Sequence, residues 1–135
     1  MPGKVNMELL IDTHVLPWLL LDDGRLTRKA AGWLVSPANR IFVSALSGIE
    51  IATKVRIGKL PHARHIGADL STICSDFDFY ELRVSLAHSS AAGSLAGPHR
   101  DPFDRLIAAQ SLHEGFALVT NDPAFKLFGI TVAWD

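Results

Sequence analysis

The sequence predicts a single α/β domain with a mainly parallel central sheet of about five strands and helices on both faces. Short apolar runs rich in β-branched residues alternate along the chain with segments of helical periodicity. This alternation implies right-handed crossover connections, which leave neighbouring strands parallel and covered by helices. No repeat or long linker divides the 135 residues, so we assign residues 1–135 to one domain.

The first half of the chain contains two predicted strands, each followed by helical segments. The predicted elements are a strand at 8–12, helices at 13–21 and 27–35, a strand at 40–44 and a helix at 46–57. Ser36-Pro37 ends the second helix, because a residue before proline disfavours helical backbone. Gly58 ends the third, because glycine readily adopts the left-handed conformation that closes many helices.

The second half of the chain continues the same alternation. The predicted elements are a helix within 61–75, a strand at 79–84, helices at 85–95 and 102–114, a strand at 117–120, a short helix at 123–127 and a strand at 130–134. Gly97-Pro98 separates the two longer helices, and Gly115 ends the second of them. Together with the two earlier strands, these segments complete the predicted sheet.

Composition favours a cytoplasmic protein with no membrane segment. The longest apolar run, 15–21, is far shorter than the roughly 20 residues that span a bilayer, and acids rather than a basic leader flank it. The single cysteine, Cys74, allows no internal disulfide. Hydrophobic residues make up 48% of the chain and charged residues 20%, which favours an oligomer or a standing protein partner.

Several acids follow the predicted strands. Asp12 ends the first strand, Asp122 lies two residues after the strand at 117–120, and Glu50 lies in the helix that leaves the second strand. Ligands of open parallel sheets bind beyond the carboxyl ends of the strands, so we expect these three acids at one rim. Asp104, in the first turn of helix 102–114, joins them only if that helix begins at the same rim.

Each acid also has a structural explanation as a helix cap. Asp12, Asp101 and Asp122 stand where N-caps are expected, and 47–50 matches a capping box. Capping does not require carboxylates to gather, however, and gathered carboxylates repel one another and raise each other's pKa. A shared rim would therefore need a counter-charge, and a hard divalent cation such as Mg²⁺ or Mn²⁺ fits oxygen ligands. Without the four acids Asp12, Glu50, Asp104 and Asp122 the net charge changes from −1 to +3, which is compatible with a polyanionic substrate.

Four segments together resemble the PIN domain family, and most closely its VapC-type toxins from bacterial toxin–antitoxin pairs. The segments are 9–14, 43–60, 99–110 and 118–122. None is diagnostic alone, but they occur in the family's order and spacing and cover nearly the whole chain. The chain departs from the family at Gly48, where relatives tend to carry a large aromatic residue.

The resemblance implies a catalytic and metal-binding set of four acids. They match Asp12, Glu50, Asp104 and Asp122. The third position stays open between Asp101 and Asp104, which lie three residues apart on one helical face; we prefer Asp104 because it precedes the matching apolar run. Further residues placed to orient ligands or to touch substrate are Thr13, His14, Asp101, Arg105, Thr120 and Asn121.

The family further implies a metal-dependent endoribonuclease that hydrolyses RNA phosphodiester bonds and leaves a 5′-phosphate and a 3′-hydroxyl. It implies a toxin that forms a homodimer and is inhibited by a cognate antitoxin. Basic residues that border the expected rim and suit substrate phosphates are Lys54, Arg56, Lys59, Arg100 and Arg105.

Two alternatives remain: a PIN-type nuclease of RNA processing without an antitoxin, and a non-catalytic RNA- or protein-binding module whose acids only cap helices. A response-regulator receiver is disfavoured because the third strand lacks a phosphoacceptor aspartate. A Rossmann nucleotide binder is disfavoured because no glycine-rich turn follows the first strand. His62 and His65 lack the further nitrogen or sulfur ligands that a zinc site needs.

Overall fold

Strands and helices alternate throughout residues 6–60, 69–98 and 101–134, the part of the chain that the computed structural model describes. The elements are β1 (Glu8–Ile11), α1 (Val15–Leu20), α2 (Arg28–Val35), β2 (Arg40–Ser44), α3 (Leu46–Arg56), α4 (Leu70–Asp76), β3 (Tyr80–Leu82), α5 (Leu86–Ser94), α6 (Pro102–Glu114), β4 (Ala117–Val119), a 3₁₀ helix (Pro123–Phe128) and β5 (Val132–Ala133).

The five strands form one sheet in the order β3-β2-β1-β4-β5, and every neighbouring pair is parallel. β1 lies at the centre, with Ile11 opposite Val43 of β2 and Val119 of β4. Leu9, Leu10 and Ile11 are at most 1% exposed, as expected for a parallel strand covered on both faces. The predicted parallel α/β sheet of five strands is therefore confirmed.

Two apolar cores lie on opposite faces of the sheet, because successive strand side chains point in opposite directions. On one face Leu9 and Ile11 pack with residues of α1 to α4, including Leu16 and Ile51. On the other face Leu10 packs with α6 and with the 3₁₀ helix. The helices thus hold the sheet from both sides, and the carboxyl ends of β1, β2 and β4 open onto a common edge.

The helix ends follow local sequence signals. The Thr27 side chain accepts a hydrogen bond from the Ala30 backbone N–H and caps α2. Asp101 caps α6 in the same way through the Phe103 N–H, and Pro102 occupies the first helical position. Gly115 ends α6 at a φ of 75°, a left-handed conformation that glycine adopts without strain. Helix 102–114 therefore forms at the predicted residues.

The edge strands are shorter than predicted. β3 covers 80–82 instead of 79–84, and β5 covers 132–133 instead of 130–134. Both lie at the edges of the sheet and are paired on one side only, so fewer residues are held extended. Apart from the helix predicted within 61–75, the other boundaries lie within two residues of the predicted ones, and the predicted short helix at 123–127 is a 3₁₀ helix that reaches Phe128.

Part of one predicted helix lies outside the described residues. The helix predicted within 61–75 falls partly on 61–68, and the described remainder is α4 at Leu70–Asp76. His62, His65 and Arg100 also lie outside the described residues. Within the described part, no helix is both long and apolar enough to cross a membrane.

Candidate active site

One cleft at the carboxyl ends of the strands brings the four predicted acids together. It has a volume of about 360 Å³, and its acidic lining residues are Asp12, Glu50, Asp101, Asp104 and Asp122. Two cavities of about 400 and 460 Å³ lie elsewhere, and among the described residues each has a single acid in its lining. The cleft is therefore the place where a cation with carboxylate ligands fits.

Asp12 is the most buried of these acids, at 6% exposure. Its backbone N–H donates to the Val119 carbonyl, which holds it against β4 beyond the end of β1. Its carboxylate accepts two hydrogen bonds, from the Thr13 backbone N–H to Oδ1 at 2.8 Å and from the Thr120 hydroxyl to Oδ2 at 2.9 Å. Asp12 does not cap α1, because the N-cap position is His14 and makes no side-chain cap.

Burial raises the pKa of Asp12 to about 6, and the carboxylates of Asp104 and Asp122 add to the rise. The hydrogen bonds from Thr120 and Thr13 oppose it. At neutral pH Asp12 is therefore still mainly ionised, buried and close to other negative charges. This is the electrostatic situation that a bound cation relieves.

Glu50 is joined to Asp12 through Thr13. The Thr13 hydroxyl donates to Glu50 Oε1 at 2.7 Å and also lies 2.9 Å from the Ser47 hydroxyl. Burial raises the pKa of Glu50, and the negative charges of Asp12 and Asp104 raise it further. The hydrogen bond from Thr13 and the positive charge of Lys54 lower it.

α3 begins after Ala45 with no side-chain cap, so the capping box considered for 47–50 is not formed. From the sequence, Ser47 was considered only as the cap residue of this box, although it lies one helical turn before Glu50.

The two candidates for the third acid have different surroundings. Asp101 is exposed, and its Oδ1 accepts from the Phe103 N–H at 2.9 Å as the cap of α6. The negative charge of Asp104, three residues later, raises the pKa of both Asp12 and Glu50. Both acids line the cleft, but this electrostatic coupling favours Asp104 as the member of the set.

Asp122 is tied to Asp12 through Thr120. The Thr120 hydroxyl accepts from the Asp122 backbone N–H at 3.1 Å while it donates to Asp12. Asp122 also accepts from the Ala124 N–H at 2.9 Å and so caps the 3₁₀ helix. Thr13 thus connects Asp12 to Glu50, and Thr120 connects Asp12 to Asp122. Asn121, between Thr120 and Asp122, is exposed and lines a neighbouring cavity.

The basic residues near the acids divide into two groups. Lys54 and Lys59 line the cleft, and Lys54 Nζ lies 3.3 Å from both ring nitrogens of His14. Burial and the Lys54 charge lower the pKa of His14. Arg105 instead donates to the backbone carbonyls of Ala92 and Leu95, and its guanidinium lies 5.8 Å from the Phe128 ring, so it ties α6 to the end of α5.

The donor set of the cleft fits a hard divalent cation. Carboxylate oxygens are the ligands that Mg²⁺ and Mn²⁺ prefer, and the protein hydrogen bonds to Asp12 leave each oxygen a further lone pair. The positive charge of Lys54 lowers the pKa of Glu50 and so favours its ionised form.

A second cluster of possible ligands lies at the far end of α6. His88, His113 and Glu114 have ligand atoms within 4.8 Å of one another. The Ser85 backbone N–H donates to Nδ1 of His88, so in the neutral ring the hydrogen is on Nε2, which donates to Glu114 Oε2 at 3.0 Å. A metal ion would need the lone pair that this hydrogen occupies. The cluster therefore joins α5 to α6 rather than holding an ion.

Comparisons with known proteins agree with the fold. A family model described as the PIN domain matches residues 9–130. Ribonuclease VapC22 of Mycobacterium tuberculosis is 29% identical over 114 residues, which cover 84% of this chain and 86% of that protein. VapBC2 of Rickettsia felis, solved with a promoter DNA fragment, has a TM-score of 0.71 at 20% identity and covers 96% of this chain and 100% of its own. FitAcB of Neisseria gonorrhoeae has a TM-score of 0.68 at 21% identity, and the match covers 92% of this chain and 95% of that chain. Because the family model spans most of its length, the chain belongs to the PIN domain family.

Proposed function

We propose that this protein is a metal-dependent endoribonuclease that hydrolyses RNA phosphodiester bonds, and that it is the toxin of a toxin–antitoxin pair. One observation carries the nuclease proposal: Asp12, buried and mainly ionised, shares a cleft with Glu50, Asp104 and Asp122. The relative named a ribonuclease supports the reaction class. The structural relatives solved as VapBC2 and FitAcB support an antitoxin partner.

We assign the four acids to a site for Mg²⁺ or Mn²⁺, and the surrounding residues to its support. When bound, a divalent cation there supplies charge for the phosphate and lowers the pKa of an attacking water. Thr13 and Thr120 hold Asp12 in position against Glu50 and Asp122. Lys54 and Lys59 in the same cleft supply positive charge to the substrate backbone.

Replacing Asp12 tests the site directly. We expect Asp12→Asn to reduce RNA cleavage with Mg²⁺ or Mn²⁺ by about 100-fold or more, as for loss of one electrostatic stabiliser of a transition state. Excess EDTA should abolish wild-type cleavage, and added Mn²⁺ should restore it. Gel analysis of a labelled RNA measures both effects.

Asp76→Asn is the matched control, because Asp76 is an exposed acid at the end of α4. This variant should cleave RNA like the wild type. Cleavage that survives Asp12→Asn would show that the activity comes from elsewhere and would contradict the proposal.

The toxin role rests on the relatives and is tested in cells. Expression of the wild type should arrest growth, and Asp12→Ala or the product of the neighbouring gene should relieve the arrest. A cleaving protein that causes no arrest would instead favour an RNA-processing nuclease. Cellular RNA as the substrate implies a cytoplasmic location.

We also propose that the protein forms a homodimer. The support is the composition: hydrophobic residues make up 48% of the chain and charged residues 20%, and large apolar side chains such as Leu86, which is 84% exposed, remain at the surface. Light scattering of the purified protein measures the oligomeric state, and a monomer at micromolar concentration would contradict the proposed homodimer.

A further inference from the structure

A second cavity adjoins the acidic cleft and shares Asp122 with it. This cavity has a volume of about 220 Å³, and Asn121, Lys126 and Trp134 contribute to its walls. Because Asp122 lines both spaces, the second cavity opens directly beside the acids of the cleft. The sequence placed Asn121 among the residues that orient ligands or touch substrate, and it gave no such role to Lys126 or Trp134.

The orientation of Trp134 is fixed by neighbouring side chains. Its ring meets Trp18 edge to face, with centroids 6.5 Å apart and an interplanar angle of 66°. Trp18 is held in turn by stacking on His14 and by the Arg25 guanidinium 5.1 Å from its ring. Trp134 follows β5, where Ala133 pairs with Val119, and it stays partly exposed. A rigid, partly exposed indole loses little conformational entropy when a planar group stacks on it.

The other walls of the cavity carry polar groups of the kind that nucleic acids need. Lys126 is exposed on the 3₁₀ helix, and within the described residues no acidic side chain forms an ion pair with it. Asn121 is exposed and offers an amide that can both donate and accept hydrogen bonds. An aromatic ring beside a cation is the combination with which proteins hold single-stranded nucleic acid.

We infer that this second cavity is a subsite for one nucleotide of single-stranded RNA next to the scissile phosphate, which deepens and rests on the proposed nuclease function. The base lies against Trp134, a phosphate lies near Lys126, and the Asn121 amide faces the edge of the base. A duplex does not fit this arrangement, because its bases stay stacked on one another instead of on a protein ring.

Binding of a short RNA tests the subsite without cleavage. The assay uses a fluorescein-labelled 8-mer RNA of mixed sequence and the Asp12→Asn protein, and it measures anisotropy at several salt concentrations. Trp134→Ala should weaken binding by about tenfold or more, and Trp134→Phe should restore most of it because phenyl rings also stack on bases. Lys126→Ala should reduce the slope of log affinity against log salt by about 0.7, the value for one phosphate contact on a single strand.

The pair Lys29 and Trp33 on α2 is a matched control, with the lysine Nζ 5.9 Å from the ring and neither residue in the wall of either cavity. Lys29→Ala and Trp33→Phe should bind the RNA like the parent protein. Thermal melting identifies any variant that has lost its fold, and Lys126, which is exposed, provides the test if Trp134→Ala unfolds.

The outcomes separate this inference from the nuclease proposal. If the wild type cleaves RNA while Trp134→Ala and Lys126→Ala bind and cleave as it does, the subsite is wrong and the nuclease stands. If the wild type cleaves nothing but RNA binding depends on Trp134, the cavity is a binding site for single-stranded RNA and the nuclease proposal fails. Equal binding of a blunt duplex of the same sequence, with the same dependence on Trp134, would overturn the single-strand assignment.

Discussion

Two threonines organise the acids around Asp12. Thr13 binds Asp12 with its backbone N–H and Glu50 with its hydroxyl, while Thr120 donates to Asp12 and accepts from the Asp122 N–H. Each hydrogen bond to Asp12 lowers its pKa, against the effect of burial. These residues therefore set both where the carboxylate lies and the pH at which it is ionised.

Thr120→Val tests this control of Asp12. Loss of the hydroxyl removes a hydrogen bond that lowers the pKa of Asp12, so the pKa should rise above about 6. Only the ionised carboxylate binds a metal ion, so Mn²⁺ affinity should increase as the pH rises through this pKa, and the midpoint should move upward in the variant. Calorimetric titration between pH 5 and 8 measures the shift, with Thr120→Ser as the control that keeps the hydroxyl.

At pH 7 we expect Thr120→Val to bind Mn²⁺ about 10-fold more weakly. An unchanged midpoint together with unchanged affinity would show that Thr120 does not act through Asp12.

The sequence indicates some residues of the cleft better than others. Asp12 and Asp122 follow strands, so their rim could be expected from the topology of a parallel sheet alone. Ser47 and Trp134 gave no such signal. Ser47 meets Thr13 from 34 positions away, and Trp134 meets Trp18 from another element, and neither contact follows from local periodicity.

At the scale of elements, the start of α6 places two acids with different tasks. Asp101 caps the helix, and Asp104 in the first turn acts electrostatically on Asp12 and Glu50. The first turn of a helix also favours negative charge because of the helix dipole. A single helix start thus serves both the stability of α6 and the charge of the cleft.

Replacing these two acids separately should divide their effects. Asp101→Ala removes the cap and should lower the free energy of unfolding by about 1 kcal/mol, with Mn²⁺ affinity nearly unchanged. Asp104→Asn should lower Mn²⁺ affinity about 10-fold or more with little loss of stability. Urea denaturation and calorimetry measure the two quantities. The reverse pattern would make Asp101 the third acid, and Asp101→Ser, which keeps a capping oxygen, is the control for the first variant.

Element boundaries were predictable where local signals are strong. Asp101, Pro102 and Gly115 fix both ends of α6, and the prediction for this helix was confirmed without change. The ends of β3 and β5 depend instead on how far their single neighbouring strands extend. That length is a property of the assembled sheet, so the prediction from local sequence overestimated the lengths of both strands.

At the scale of the whole molecule, the buried carboxylate of Asp12 lowers the free energy of unfolding. The pKa of Asp12 in the fold is about 6, above its ordinary value of 3.8. Between these values the folded state keeps a proton that the unfolded state has lost, so stability falls as the pH rises through this window. The shift corresponds to about 3 kcal/mol at neutral pH in the absence of metal.

We therefore expect Asp12→Asn to be more stable than the wild type at pH 7.5 without metal, by about 1–3 kcal/mol. At pH 4 the difference should largely disappear, because the wild-type carboxyl is then protonated. Saturating Mn²⁺ should raise the melting temperature of the wild type and leave the variant nearly unchanged. Differential scanning fluorimetry with and without EDTA measures this, and a variant less stable than wild type at pH 7.5 in EDTA would contradict it.

The central position of β1 has a consequence for synthesis of the protein. Residues 8–11 leave the ribosome early, but β4, which pairs beside them, comes from residues 117–119. Thr120 and Asp122 follow β4 directly, so a nascent chain that has not yet reached β4 carries Asp12, Glu50 and Asp104 but lacks Thr120 and Asp122. Pairing between segments so distant in sequence also forms slowly. The acidic cleft can therefore form only after residues 117–122 have been synthesised and β4 has paired with β1.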